Sequence, residues 1–174
     1  MGFCGALCLA LQSDLELTLL PTALFAQSPL NFLYAMTQQR ATLSPNPPSA
    51  YALLARLGRR AVREGVDLSN WRFAWAGAEP VFAPVLRAFE HALQPAGLRP
   101  GVLQPSYGMA EAVVAVSFAP AGRPWRALVL QARALREQGI ALPHPAATST
   151  AGDEVVELVS NGRPLDGLQV QARD

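Results

Sequence analysis

Three short apolar segments, each cut off by proline or glycine and separated by stretches of helical periodicity, set the limits on how this chain can fold. The first is Ala41-Thr42-Leu43-Ser44, closed by Pro45-Asn46-Pro47-Pro48. The second runs from Trp71 to Trp75 and ends in Ala76-Gly77-Ala78-Glu79-Pro80; the third runs from Gly101 to Pro105 and ends in Ser106-Tyr107-Gly108. Between the first two, Tyr51, Leu54, Leu57 and Val62 recur at about one helical turn, behind Ser49 as a candidate cap. Between the second and third, Pro80 introduces a helix that should bury Val85, Leu86, Phe89 and Leu93. Strand–helix alternation with short turns is the pattern of a mainly parallel sheet covered by helices. An α/β fold is therefore expected, with a largely parallel sheet flanked by helices. Ligands of such sheets gather at the carboxyl ends of the strands, where Gly77 and Gly108 fall.

The flanks are read in the same way. Met1 to Leu11 is an apolar run without a basic leader, and Asp14 and Glu16 follow it. It is too short to span a bilayer and reads as a buried helix. Leu15 to Pro21 reads as a short buried strand, and Phe25 to Arg40 as a helix with a start signal at Ser28-Pro29. After Ser117 come a turn at residues 119–124, a strand at Trp125 to Gln131 and a short helix at Ala132 to Gly139. A loop at Pro143 to Asp153 follows. Val155 to Val159 and Leu168 to Ala172 alternate like paired strands. The expected division is an α/β subdomain over residues 1–154 and the start of a β-rich subdomain over residues 155–174, a small β-rich C-terminal tail.

With 174 residues the chain can hold one domain with a real core. Apolar residues make up 51% and charged residues 16%, so much of the surface should be buried in a core or against a partner face. The isolated chain is accordingly expected to self-associate. A net charge of +1 gives no electrostatic case for nucleic acid. Arg56, Arg59, Arg60 and Arg63 sit at helical spacing beside Glu64 and read as a solvated face. Cys4 and Cys8 lack neighbouring metal ligands and read as buried structural thiols of a reducing cytoplasm. Neither His91 nor His144 is placed as a catalytic base.

The chemistry concentrates in Ser106-Tyr107-Gly108-Met109-Ala110-Glu111-Ala112. Small residues there let backbone approach a bulky ligand, and one carboxylate suits a Mg²⁺ that itself grips phosphates. Upstream stand Ala76-Gly77-Ala78-Glu79-Pro80 and Pro47-Pro48-Ser49-Ala50-Tyr51. Taken singly, each also reads as ordinary structure: a solvated turn glutamate, a core aromatic, a plain strand-to-helix turn. In order and together they resemble the acyl-adenylate-forming enzymes, and within them the fatty acyl-AMP ligases. The likeness takes in Leu68-Ser69, Trp71-Arg72, Phe89, Tyr107 to Glu111, Val113 to Phe118 and Val159 to Leu165.

That resemblance implies ATP-dependent activation of a fatty acid, with Mg²⁺, and transfer of the acyl group to an acyl carrier protein or polyketide synthase. It implies that Glu111 helps hold the metal and takes the catalytic role. Tyr107 packs on adenine beside Gly108, Met109 and Ala110, and Gly77 and Ala78 pass close to the purine with Glu79 at the turn. Ala50 and Tyr51 border the acyl tunnel. Residues 123–147 roughly cover the insertion that keeps such ligases from using coenzyme A. Some positions depart from the family pattern. Ala110 stands where related enzymes carry Thr, and Pro48-Ser49 where Asn-Phe is usual. The family's His-Asp and glycine-rich phosphate loop would precede Met1-Gly2, and its ribose aspartate and catalytic lysine would follow Asp174. An internal slice of a ligase, inactive alone, is the expectation. The alternatives are an acyl-CoA synthetase and a non-catalytic module that binds nucleotide or a partner.

Overall fold

Trp71 has no exposed surface and organises the core. Its ring meets Phe32, Phe89 and Tyr51 at centroid distances of 5.8, 5.9 and 6.5 Å, and its indole N–H donates to the Phe73 carbonyl at 3.1 Å. A large apolar ring with a satisfied polar tip is what a core position requires of tryptophan. The computed structural model that shows this describes residues 2–144 and 154–171.

The chain opens with a π-helical turn over Gly2–Cys8 that runs into α1 (Leu9–Gln12). Two helices follow, α2 (Thr22–Gln27) and α3 (Leu30–Gln38), then β1 (Leu43–Asn46), α4 (Pro48–Arg56) and α5 (Gly58–Arg63). Next come β2 (Phe73–Ala76), α6 (Ala83–Leu93), β3 (Leu103–Tyr107) and β4 (Ser117–Phe118). The remainder is β5 (Ala127–Gln131), α7 (Ala132–Gln138), β6 (Val155–Val159) and β7 (Arg163–Pro164).

The five-stranded sheet runs β1-β2-β3-β4-β7. β1–β2 and β2–β3 are parallel, with Leu43 opposite Phe73 and Ala74 opposite Leu103, and β4 and β7 add antiparallel strands at the edge. The expected α/β architecture is therefore present. Ala74, Ala76 and Leu103 join Leu30, Leu33, Leu54, Leu86 and Phe89 in one core, with α4 packed on α6. The four arginines of α4 and α5 are exposed, and Arg60 pairs with Glu64 at 2.7 Å.

Four local expectations are corrected. Met1 to Leu11 was expected to be a buried helix. Residues 2–12 are helical, but of them only Ala10 is buried, and Phe3 and Leu11 stand 71% and 77% exposed. Apolar residues lie on all sides of this run, so no single face can be hidden by one contact. Leu15 to Pro21 forms no strand and is largely exposed. With no neighbouring strand, its backbone groups are better satisfied by water. The helix expected over Phe25 to Arg40 breaks at Ser28, whose φ of −156° and ψ of 115° are extended because Pro29 excludes the helical region for its predecessor. Leu168 joins no strand among the described residues, and its N–H donates to the Leu165 carbonyl at 3.0 Å; β6 pairs with β5 in an antiparallel ladder of five positions, and β7 pairs with β4. The expected partner at Ala172, and most of the loop expected at Pro143 to Asp153, lie outside the described residues.

The β5–β6 ladder is fixed to α6 by polar contacts. Arg87 on α6 pairs with Glu157 on β6 and lies over the Trp125 ring, 5.8 Å from its centroid. The Trp125 indole N–H donates to Glu90 at 3.2 Å. Burial pushes the Glu90 carboxyl above the ordinary glutamate range, and the Trp125 bond offsets part of that rise.

Candidate active site

Residues following β1, β2 and β3 come together at the carboxyl edge of the parallel strands. Gly77 continues β2 alongside β3, and a Cβ added to it would lie 2.7 Å from Ser106 Oγ and 2.8 Å from the Ser106 carbonyl oxygen. Glycine is therefore required there by the neighbouring strand itself. Ala78, the next residue, is exposed and has φ of +68°, a left-handed conformation that costs a non-glycine residue roughly 1–2 kcal/mol.

Glu79 closes this turn with its carboxylate already engaged. The Ser49 amide donates to it at 3.1 Å and the Ser49 hydroxyl at 2.9 Å. Ser49 was expected to cap α4. Instead Pro47 is the cap residue, with no side-chain cap bond, Pro48 is the first helical residue, and the acceptor for the Ser49 N–H comes from the Glu79 turn. The first amides of a helix need such acceptors, and a carboxylate there complements the helix dipole.

The third segment is the loop after β3. A Cβ on Gly108 would fall 1.8 Å from the Val114 carbonyl oxygen, so the loop can fold back on itself only with glycine there. Tyr107 is half exposed, with its hydroxyl 3.9 Å from Met109 Sδ. Glu111 is exposed on a single 3-10 turn, Ala110–Ala112, with no hydrogen-bond or ion-pair partner among the described residues. Val113 ends that turn at φ 66°, ψ −59°, and Val114 N–H donates to Ala112 at 2.8 Å across it. This is a tight γ-turn of the rare, strained kind.

Ala50 and Tyr51 lie on the inner side of the same edge. Both are buried; the Tyr51 ring packs on Phe89 at 4.7 Å and its hydroxyl donates to the Trp75 carbonyl at 3.0 Å. Burial drives the Tyr51 phenol well above its ordinary range, against a smaller opposing effect of an Asn46 side-chain hydrogen bond. Tyr51 is thus held in the core, whereas Ala78, Met109, Ala110 and Glu111 are exposed at the edge.

Sequence reasoning missed two features. One is the Glu79–Ser49 pairing. The other is Gln104, which accepts from the Trp75 indole at 3.1 Å and keeps its buried amide nitrogen unpartnered among the described residues. A signal for the first was available in the spacing. Ser49 and Glu79 are 30 residues apart, as are the hydrogen-bonded pairs Thr37–Asp67 and Arg40–Asn70 and the paired residues Leu43 and Phe73. Successive strand–helix units of equal length place polar residues of the same phase side by side.

No protein-family model matches the sequence. Individual relatives match well. A Caulobacter vibrioides protein named as an acyl-CoA synthetase is 35% identical over 153 residues, covering 88% of this chain and 27% of the relative. The medium-chain-fatty-acid–[acyl-carrier-protein] ligase JamA of Moorena producens is 34% identical over 170 residues, covering 97% of this chain and 28% of the relative. The chain belongs with the acyl-adenylate-forming enzymes. Its backbone agrees: the fatty acid AMP ligase of Legionella pneumophila superposes with a TM-score of 0.84 at 28% identity, over 94% of this chain and 28% of that one. The chain thus spans little more than a quarter of the length of these relatives. Among the described residues no group of three or more metal-ligating side chains occurs, and no helix is long and apolar enough to cross a membrane.

Proposed function

We propose that the protein carrying this chain is a fatty acyl-AMP ligase, and that this chain supplies the adenine-side turns and one metal-directed carboxylate. The observation that carries the reading is the juxtaposition of the Gly77-Ala78 turn with the Tyr107–Glu111 loop at the carboxyl ends of paired parallel strands, beside a Glu111 that has no partner among the described residues. In this reading a fatty acid carboxylate oxygen attacks the α-phosphate of ATP, pyrophosphate leaves, and an acyl adenylate forms. Mg²⁺ bound with ATP would supply neutralisation of the phosphate charge. A single protein carboxylate fits that ion, since Mg²⁺ keeps most of its shell as water and phosphate. Glu111 is the residue that would hold it. Tyr107 offers a half-exposed ring to adenine, backbone at Gly108, Met109 and Ala110 lines the same side, and Ala78 presents the purine-facing turn. Ala50 and Tyr51 form the wall behind which the acyl chain runs. Glu79 serves the turn indirectly, because its oxygens are already bonded to Ser49.

The acyl acceptor in this proposal is an acyl carrier protein, as the name of the Moorena relative supports, within polyketide or lipid synthesis in a reducing cytoplasm where Cys4 and Cys8 remain thiols. The acyl-CoA synthetase reading is kept because the Caulobacter relative carries that name. Residues 155–171 are read as the beginning of a β-rich subdomain, and the exposed apolar surface as a cause of self-association.

The test is fatty-acid-dependent ATP–pyrophosphate exchange in a chimera in which this segment replaces its counterpart in the Legionella ligase. Exchange that Glu111→Ala lowers by about 100-fold or more supports the reading, the loss expected when a transition-state charge contact is removed. Exchange indifferent to Glu111→Ala overturns it. Acyl transfer by the same chimera to carrier protein or to coenzyme A separates the two acceptors. The 174-residue chain alone should show no exchange, since several charged phosphate contacts would have to come from elsewhere.

A further inference from the structure

We infer that Glu79 is a positioning residue, and that the Ser49–Glu79 clasp locks the acyl-side segment to the adenine-side turn. The inference rests on the site reading above and assigns a role to a position where this chain departs from the usual pattern of such ligases. Ser49 immediately precedes Ala50 and Tyr51, and Glu79 immediately follows Gly77 and Ala78. Both donors of Ser49, N–H and O–H, end on the two oxygens of Glu79 at 3.1 and 2.9 Å. Each carboxylate oxygen thus accepts one bond from Ser49, which fixes the orientation of the Glu79 side chain.

Three properties make the clasp more than a surface hydrogen bond. The cap position of α4 is Pro47, whose side chain has nothing to offer the first amides, so Glu79 supplies the missing acceptor from another element. A carboxylate at that end also faces the positive pole of a nine-residue helix. Finally, the tether fixes the residue next to Ala78, which sits at φ +68° and relaxes if released. Gly77 leaves no slack either, being wedged against Ser106. Releasing Glu79 therefore frees the purine-facing turn and the start of α4 together.

The experiment compares the 174-residue chain with Ser49→Ala, Glu79→Gln, Glu79→Ala and the double variant Ser49→Ala/Glu79→Ala. Amide exchange of Ser49 is read by NMR, and binding of a medium-chain adenosine acylsulfamate is titrated to millimolar probe. Glu79→Ala should speed exchange of the Ser49 amide about tenfold and weaken probe binding about tenfold, the scale of one charge-assisted hydrogen bond. Glu79→Gln, which keeps an acceptor oxygen, should restore part of both. The double variant should be no worse than Glu79→Ala. Unchanged Ser49 exchange in Glu79→Ala overturns the clasp. Losses that multiply in the double variant overturn the positioning role, because Glu79 would then be contacting the probe itself. If the unmodified chain fails to bind the probe while Ser49 protection still depends on Glu79, the site reading fails and the clasp is a helix cap only.

Discussion

Residues 30–107 and residues 2–20 are both rich in apolar side chains, yet they end in opposite environments. In the first region Leu30, Leu33, Leu54, Trp71, Phe89 and Leu103 carry no exposed surface. In the second, Phe3, Leu11 and Leu19 are each more than 70% exposed. The difference lies in what the apolar residues face. Between residues 30 and 107 the buried residues of α3, α4, α5 and α6 join those of β2 and β3 in one core, so each hidden surface finds its partner inside this region of repeated strand–helix units. The leading segment has no single apolar stripe and, among the described residues, no partner strand, and Phe3, Leu11, Leu15 and Leu19 stay exposed. Hydrophobic content therefore measures how much surface seeks cover, while periodicity decides whether a segment can find that cover nearby.

The largest effect that can break this comparison is at Trp71. Trp71→Ala removes the ring at the centre of the aromatic cluster and should cost about 3–5 kcal/mol in urea denaturation. Leu11→Ala should change stability by no more than ~0.5 kcal/mol. Equal losses from the two would mean that the leading segment is packed as the core is. Next is Gly108→Ala, which forces a methyl group against the Val114 carbonyl. It should cost about 1–3 kcal/mol by overpacking, with loss of the loop's NMR signature around Glu111. A stability unchanged from wild type would show that the fold-back of the loop is not what holds the site edge.

The open surface gives the third prediction. Replacing Phe3, Leu11 and Leu19 together by Ser should weaken self-association by about tenfold or more in sedimentation velocity, with little change in the unfolding midpoint. Association that persists would move the sticky surface to the outer residues of the β5–β6 ladder, among them Leu128 and Leu158.

The smallest prediction concerns Glu90, half-buried at the junction of α6 and Trp125. Its folded-state carboxyl is raised above the unfolded value, so the ionised form opposes folding above the raised value. That cost is relieved as pH falls through the folded value toward the ordinary glutamate range. Glu90→Gln should therefore stabilise the chain at neutral pH by about 0.5 kcal/mol or less, after allowance for solvent screening, and remove the gain on mild acidification. Identical pH–stability profiles for the two would contradict this.

The legible part of the fold was the part whose information is local. The stripe at Tyr51, Leu54, Leu86, Phe89 and Leu93 and the punctuation at Pro80 and Gly101 suffice to order β1, α4, β2, α6 and β3. The β5–β6 pairing was not legible, because α7 and the residues that follow it separate the two strands in sequence, and only three-dimensional proximity chooses between β5 and Leu168 as the partner of β6. At the site, turn chemistry located Gly77 and Gly108, although the structure traces both glycines to crowding by Ser106 and Val114. Glu79 was read as a ligand-side residue because its engagement with Ser49 depends on the register of two units. Tyr51 could be read equally as core or tunnel wall, and its ring lies in the core.

An acyl adenylate is proposed to sit at the carboxyl edge of β1–β3. This placement is tested most directly by photolabelling the 174-residue chain with a 2-azidoadenosine acylsulfamate bearing a medium acyl chain, followed by peptide mapping. Label is expected on residues 76–79 or 103–112, competed away by the unmodified acylsulfamate. Competed label at the opposite ends of the strands, around residues 98–102, or on residues 121–131, would contradict it.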